Sequence, residues 1–306
     1  MTMIETYGMS KRYGNFLAVN EVSIRVRAGE IYGFLGLNGA GKTTTIRMLL
    51  GMIRPTAGEI RLVGQTLRPG KQGPWDKVGY LVEVPSAYPE LTVGENIEIT
   101  RRLRGLHDKK VTNQILERLQ LDAYQDVRAE NLSLGNAQRL GLAKALIHQP
   151  DVLMLDEPTN GLDPAGILEV RELLQELAYQ HGTTVFISSH ILSEIALMAT
   201  RIGIIHQGLL LQEMDIDQLE RLRRKRLHLQ FRQVTGVIDL LARLGYKASL
   251  IDKAVVEIDD QQAVEWPEQV AKRLVEAGLL PMMLRVDEEN LESYFLRTIA
   301  QSRAAS

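Results

Sequence analysis

A glycine-rich sequence near the amino terminus, GLNGAGKTT at residues 36 to 44, has the spacing of a phosphate-binding loop. It fits the pattern G-x-x-x-x-G-K-S/T, in which glycines let backbone N–H groups close around phosphate oxygens. We expect Lys42 to contact the terminal phosphates of a nucleotide and the hydroxyl of Thr43 to bind Mg²⁺. The positions expected to contact the nucleotide are Leu37, Asn38, Gly39, Ala40, Gly41, Lys42, Thr43 and Thr44.

The residues around this loop indicate the elements that hold it. The apolar run EIYGFL before it predicts a buried strand, and TTIRMLLG after it predicts a short helix that ends near Gly51. Strand, loop and helix in this order are the context that the motif requires, and the helix adds the positive end of its dipole. A chance glycine-rich turn is the alternative, and it is disfavoured because the fixed positions and the context agree.

Two acids follow a second apolar run, in VLMLDEPTNGLDP at residues 152 to 164. The four apolar residues predict a strand buried in a parallel sheet, and ligands of such sheets gather at the carboxyl ends of the strands. We expect Asp156 to contact Mg²⁺, directly or through water. Glu157 is expected to act as general base toward the water that attacks the γ-phosphate. A solvated acidic turn is the alternative, which the phosphate-binding loop disfavours.

A third segment, NLSLGNAQRLGLAKAL at residues 131 to 146, narrows the class of enzyme. Ser133 predicts a helix N-cap, and Gly135 with the first helical turn exposes backbone donors toward an anion. The segment resembles the LSGGQ signature of ABC ATPases, and its residues Ser133, Gly135 and Asn136 match the positions that reach a nucleotide. Because the chain already has one phosphate-binding loop, the resemblance implies a head-to-tail dimer in which each signature closes on the partner's ATP.

The resemblance to nucleotide-binding subunits of ABC transporters covers residues 3 to about 215 and implies further roles. Tyr13 matches the aromatic residue that stacks on adenine. His190, after the predicted strand VFISS, matches the switch histidine that hydrogen-bonds the γ-phosphate and the attacking water. Asp163 matches the acid that links the two active sites across the dimer. ATP is the implied nucleotide and Mg²⁺ the implied metal.

Three positions depart from the common pattern of this family. Glu83 stands where the family usually has glutamine, and we expect its carboxylate to be a further ligand of Mg²⁺ or water, unless it points to solvent. In the signature, Leu134 replaces glycine and Asn136 replaces glutamine. The stretch VGYLVEVPSAYPELTVGENI resembles an exporter branch that includes antibiotic and lantibiotic self-protection systems.

Composition limits the other classes of protein. The 306 residues include no cysteine, which excludes disulfides, a cysteine-based zinc site and a thiol nucleophile. The 36 basic and 38 acidic residues nearly cancel, so nucleic acid is not a favoured partner. No apolar stretch approaches the roughly 20 residues that span a bilayer, and we expect no membrane span in this chain.

The segment order predicts an α/β fold with two domains, residues 1–219 and 220–306. The resemblance implies that the first is a P-loop NTPase domain of ABC type, with a parallel-sheet core, an antiparallel β subdomain and a helical subdomain at about 88–150. Thr92 and Glu95 predict a capping box where that subdomain opens. The order strand, helix, strand, strand, helix, strand predicts that the second domain is a small α+β ferredoxin-like module.

A basic segment, ERLRRKRLHL at residues 220 to 229, lies at the predicted domain boundary. It predicts either a solvated helix end that leads into a strand or a contact with lipid headgroups or a membrane partner. The tail beyond it contains ENLESYFLRTI. Subunits of the drug and antibiotic exporter branch often carry a similar motif, so the resemblance favours export over import.

The resemblance implies an ATP-hydrolysing motor that drives export through a separate transmembrane permease. It implies a homodimer, or a heterodimer with a related ATPase subunit, located in the cytoplasm at the inner face of the cell membrane. A soluble ABC ATPase outside transport is one alternative, but it would need a long coiled-coil insertion or zinc-binding cysteines. A regulatory ATP-binding module is the other, and it would be expected to lack Glu157 or His190.

Overall fold

The computed structural model describes residues 1–68, 70–82 and 86–304, with side chains described up to residue 301. The chain divides into two compact units, Met1–Ile216 and Asp217–Ser306. In chain order the strands of the first unit are β1 Thr2–Tyr13, β2 Phe16–Val22, β3 Arg25–Arg27, β4 Ile31–Leu35, β5 Ala57–Leu62, β6 Gln65–Thr66, β7 Val78–Leu81, β8 Val152–Asp156, β9 Thr184–Ser189, β10 Arg201–His206 and β11 Leu209–Asp215.

The first unit also contains seven α-helices in its described residues, counting the one that begins at its last residue. They are α1 Lys42–Leu49, α2 Val93–Leu103, α3 Lys110–Arg118, α4 Leu134–Leu146, α5 Pro164–His181 and α6 Leu192–Ala196, and α7 Ile216–Leu222 begins at the boundary between the units. None of the helices in the described part of the chain is long and apolar enough to cross a membrane.

A six-stranded sheet forms the core of the first unit, in the order β11-β10-β4-β9-β8-β7. The strands from β10 to β7 are parallel, and β11 is antiparallel to β10. Every residue of β4, β8 and β9 is buried, as expected for strands covered on both faces. The predicted strands before the phosphate-binding loop, before the two acids and before His190 are therefore confirmed, and β4, β9 and β8 lie side by side.

Aromatic packing joins the strands that carry the site. The Tyr32 ring of β4 stacks on the Phe186 ring of β9, with centroids 5.5 Å apart, and Phe34 packs on Phe186 at 5.4 Å. Such pairs add stabilisation beyond their buried area. The two strands that end at the phosphate-binding loop and at His190 are thus joined by side-chain packing as well as by their parallel backbone pairing.

The first unit also contains an antiparallel part and a helical part. A second sheet has the order β2-β1-β5-β6, with β3 paired to β1. In the helical part, α2 packs against α3 and α4. The expected ABC-type P-loop fold, with a parallel core, an antiparallel β part and a helical part, is confirmed.

The capping box at the start of α2 is also confirmed. The Thr92 hydroxyl accepts from the backbone N–H of Glu95 at 3.2 Å, and the Glu95 carboxylate accepts from the backbone N–H of Thr92 at 2.7 Å. These two bonds satisfy donors that a helix end would otherwise leave unpaired.

The second unit has the predicted ferredoxin-like topology. Its elements are β12 Lys225–Gln230, α8 Val237–Arg243, β13 Ala248–Asp252, β14 Val255–Ile258, α9 Gln261–Glu265, α10 Pro267–Glu276, β15 Met283–Glu288 and α11 Leu291–Ala304. The antiparallel sheet has the order β13-β14-β12-β15. A buried apolar core lies beneath it, formed by one face of the sheet and by α8, α9 and α10.

The structure corrects one detail of the second unit. The run AVEWPEQVAKRLVEAG predicts one helix, but α9 and α10 are separate and meet at Trp266 and Pro267. Proline lacks an amide hydrogen and disfavours the helical conformation of the residue before it. The proline therefore starts a new helix as its first residue.

Replacing Thr92 by Ala should loosen the start of α2. The substitution removes one bond of the capping box and costs about 1 kcal/mol, which corresponds to about fivefold faster opening. Native-state hydrogen exchange of the peptide that contains residues 92–103 measures this change. Thr92→Ser keeps the hydroxyl and should retain the exchange of the wild type. Equal exchange in the wild type and Thr92→Ala would contradict a role for the cap.

Candidate functional site

The phosphate-binding loop leaves β4 and enters α1 at one edge of the central sheet. Its pocket has a volume of about 300 Å³. Gly41 has a φ of 109°, and a Cβ there would lie 2.6 Å from the carbonyl oxygen of Ala18, so only glycine fits. The lining residues are Phe16, Ala18, Asn38, Gly39, Ala40, Gly41, Lys42, Thr43, Thr44 and Glu157.

Lys42 occupies the centre of this loop. Its side chain is only 7% exposed, and its Nζ donates to the carbonyl of Gly36 at 2.7 Å and to that of Leu37 at 3.4 Å. The same Nζ lies 3.1 Å from Oε1 of Glu157. A buried ammonium needs such partners, and a phosphate that binds in the pocket would compete with Glu157 for it. Leu37 contributes its carbonyl but does not line the pocket.

Thr43 and Asp156 meet at the start of α1. The Thr43 hydroxyl donates to Oδ2 of Asp156 at 2.7 Å, and the Ser188 hydroxyl of β9 donates to Oδ1 of the same carboxylate. A hydroxyl and a carboxylate are the oxygen donors that Mg²⁺ prefers. Across the described residues, no cluster of three His, Asp or Glu side chains could hold a metal.

Glu157 has an unusual backbone conformation for its residue type. Its φ is 51°, in the left-handed region, and its amide N–H donates to the carbonyl of Ser188 at 3.1 Å. Strain of this kind is retained where the surrounding structure requires it, often at functional sites. Oε2 of Glu157 lies 2.9 Å from Nδ1 of His190. The carboxylate is therefore placed between the Lys42 ammonium and the His190 imidazole.

The predicted signature residues lie at the start of α4, away from this pocket. The Ser133 hydroxyl caps the helix by accepting from the backbone N–H of Asn136 at 3.3 Å, which confirms the predicted N-cap. Ser133, Gly135 and Asn136 are absent from the lining of the phosphate pocket. The start of α1 and the start of α4 are therefore separate helix ends. Asp156 and Glu157 lie beside the start of α1, and the start of α4 lies outside that pocket.

The aromatic residue beside the pocket is Phe16, which the sequence reasoning missed. Tyr13 and Phe16 face each other across the β1–β2 hairpin, with 47% and 64% of their surfaces exposed. Phe16 lines the phosphate pocket, whereas the Tyr13 ring lies under Nζ of Lys11 at 5.0 Å. Stacking of adenine on Tyr13 stays a prediction, and Phe16 is a second candidate surface for the base.

Two further expected residues have different outcomes. Asp163 caps α5, with Oδ1 accepting from the backbone N–H of Gly166 at 2.8 Å. Glu83 lies outside the described residues, so its expected contact with Mg²⁺ stays a prediction. The sequence reasoning also missed Ser188, although a hydroxyl at the end of the buried strand VFISS was a readable signal.

Replacing Glu157 by Gln should separate binding from hydrolysis. The change removes the base while it preserves shape, so the hydrolysis rate should fall about 100-fold or more. Nucleotide affinity should be unchanged or higher, because binding no longer requires Lys42 to break its ion pair with the Glu157 carboxylate. Steady-state rates and equilibrium binding of a fluorescent nucleotide measure both. Glu117→Gln, on the exposed face of α3, is the matched control. Near-normal turnover in Glu157→Gln would show that another group is the base.

Comparisons with known proteins agree with this geometry. The family described as ABC transporter matches residues 19–160. The bacitracin transport ATP-binding protein BcrA of Bacillus licheniformis is 40% identical over 300 residues, which cover 97% of each chain. The lantibiotic transport ATP-binding protein SrtF of Streptococcus pyogenes is 36% identical and covers 72% of this chain and 94% of its own.

A solved structure described as the ATP-binding subunit of an ABC transporter also matches. It is 27% identical, covers 72% of this chain and 92% of its own, and superposes with a TM-score of 0.66. Relatedness over nearly the whole chain, together with the geometry of Lys42, Asp156 and Glu157, leads to one assignment. The chain belongs to the ABC transporter family, as an ATP-binding subunit that hydrolyses ATP to power transport.

Proposed function

We propose that two copies of this chain form a head-to-tail dimer that drives the export of a peptide antibiotic of the bacitracin type through a separate membrane permease. One observation carries the dimer. The pocket of a single chain holds Lys42 and Glu157, while the capped end of α4 with Ser133 is absent from it. In a head-to-tail dimer, the α4 end of the partner supplies the missing donors.

The residues around the pocket suggest an order of events. A γ-phosphate that enters the loop takes over the Lys42 ammonium, because phosphate carries more charge than the Glu157 carboxylate that holds it now. Glu157 is then free to accept a proton from water, and His190, 2.9 Å from it, orients its carboxylate. Thr43 and Asp156 would hold Mg²⁺, and the charge of the ion would offset that of the phosphates.

A second pocket supports the coupling to a permease. It has a volume of about 250 Å³ and lies between β7, α2 and α4. Its described lining residues include no acid and are Tyr80, Leu81, Val82, Ser86, Tyr88, Ile99, Thr100, Leu103, Arg104, Gly141, Lys144 and Ala145. In this family such a groove receives a helix of the membrane subunit.

The charges of this groove indicate the chemistry of its partner. The Arg104 guanidinium donates to the carbonyls of Trp75 and Val78, and the Lys144 ammonium donates to the carbonyl of Ser86. Burial lowers the pKa of both groups, and at Arg104 the charge of Asp76 partly opposes this lowering. The exposed Leu103 adds an apolar surface. A permease segment with apolar side chains and a carboxylate fits this groove.

The relatives favour bacitracin over lantibiotics as the type of substrate. The bacitracin relative aligns over 300 residues and so includes the second unit, whereas the lantibiotic relative aligns over only 220. The second unit is thus a feature shared with the bacitracin relative. Coupling to a permease would place this chain at the inner face of the cell membrane.

Expression of this chain with its permease in a bacitracin-sensitive bacterium tests the proposal. We expect the bacitracin concentration that stops growth to rise severalfold, and Lys42→Ala to abolish the rise because the loop loses its phosphate contact. A lantibiotic measured in parallel separates the two types of substrate. Equal resistance in strains with the wild type and Lys42→Ala would contradict transport driven by ATP.

A further inference from the structure

The first residue of α4 is an exposed leucine. Leu134 has 57% of its surface exposed, although it follows the N-cap Ser133 directly. The related signature has glycine at this position. A leucine exposes a large apolar surface at this position, which glycine would not.

The side chain of Leu134 lies over a glycine of the segment that follows Glu157. Gly161 has a φ of 78°, and a Cβ at this glycine would collide with Cδ2 of Leu134 and lie 3.2 Å from its Cγ. One residue further along each segment, a Cβ at Gly135 would lie 3.6 Å from Cδ2 of Leu162, which is ordinary contact. The start of α4 therefore packs directly on residues 161 and 162.

The packed turn is closed by two backbone hydrogen bonds. The amide of Asn160 donates to the carbonyl of Glu157 at 3.1 Å, and the amide of Leu162 donates to the carbonyl of Thr159, also at 3.1 Å. The turn thus runs from the residue placed as base to Asp163, which caps α5. A displacement at Gly161 would be passed to Glu157 through these bonds.

A hydrogen bond also joins α4 to the same segment. Nε2 of the buried Gln138 donates to the carbonyl of Pro158 at 2.9 Å, one turn along α4 from Leu134. Gln138 lies one turn inside α4, so this hydrogen bond does not involve the residues at the amino end of the helix. Contact between Leu134 and Gly161 ties the amino end itself to the same segment.

We propose that Leu134 is a positioning residue that packs into the space left by Gly161 and so sets the amino end of α4 relative to Glu157. This inference rests on the proposed head-to-tail dimer. There, the α4 end serves the ATP of the partner while Glu157 acts on the ATP of its own chain. The contact then joins one active site to the other within a single chain.

A double-mutant cycle on the rate of hydrolysis tests this role. Leu134→Ala removes the contact, and Gly161→Ala also breaks it, because the new methyl group displaces the leucine. Leu134→Met keeps an apolar side chain of similar volume and is the conservative variant. Leu250→Ala, at a leucine of the second unit that is 51% exposed, is the matched control.

We expect Leu134→Ala to lower kcat roughly tenfold, an effect within the range of coupling between residues in contact. ATP binding to the isolated chain should be unchanged. In the Gly161→Ala background, the same substitution should change kcat by less than about twofold, because the contact is already lost. Leu134→Met should restore most of the rate, and Leu250→Ala should match the wild type. Alanine at the positive φ of residue 161 is strained in both the single variant Gly161→Ala and the double variant, so this strain cancels when the two are compared.

Two results would overturn the inference. One is a kcat of Leu134→Ala equal to that of the wild type, and the other is an equal loss in both backgrounds. Failure of the dimer itself is seen separately, because the specific activity of the wild type would then not depend on protein concentration.

Discussion

The buried ammonium of Lys42 is the constraint on which the rest of the site depends. A charge of this kind is costly unless it is paired and hydrogen-bonded, and here two loop carbonyls and the Glu157 carboxylate meet that need. The contacts hold the loop around the space for a phosphate and hold the base beside it. Binding of the substrate and placement of the base are therefore two consequences of the same charge.

Sheet topology explains why the remaining groups meet there. Because β4, β9 and β8 are parallel neighbours, their carboxyl ends bring the phosphate-binding loop, His190 and the two acids to one edge. The Ser188 hydroxyl between them binds Asp156. The α4 end is not part of this edge. Among the described residues, it contacts the segment after Glu157, which is where the Leu134 contact lies.

Local patterns predicted most of the fold and the core of the site. The phosphate-binding loop, the buried strand before Asp156 and the Thr92 cap each depend on spacing within a few residues, which a sequence shows directly. The bond from Ser188 to Asp156 joins residues that are distant in the chain and follows from strand order, so the pattern of either segment alone could not reveal it. The contact of Leu134 with Gly161 depends on the direction of the leucine side chain and on the left-handed conformation of Gly161. The presence of leucine instead of glycine in the signature is not enough to predict that contact.

A mixing experiment tests the composite site most directly. Lys42→Ala removes the phosphate contact from one half of a site, and Ser133→Arg blocks the other half, so each variant alone should be inactive. In a mixed dimer, one site combines the intact loop of one chain with the intact α4 end of the other. Random pairing should then restore roughly a quarter of the wild-type ATPase rate. A mixture no more active than the two variants measured separately would contradict the head-to-tail dimer.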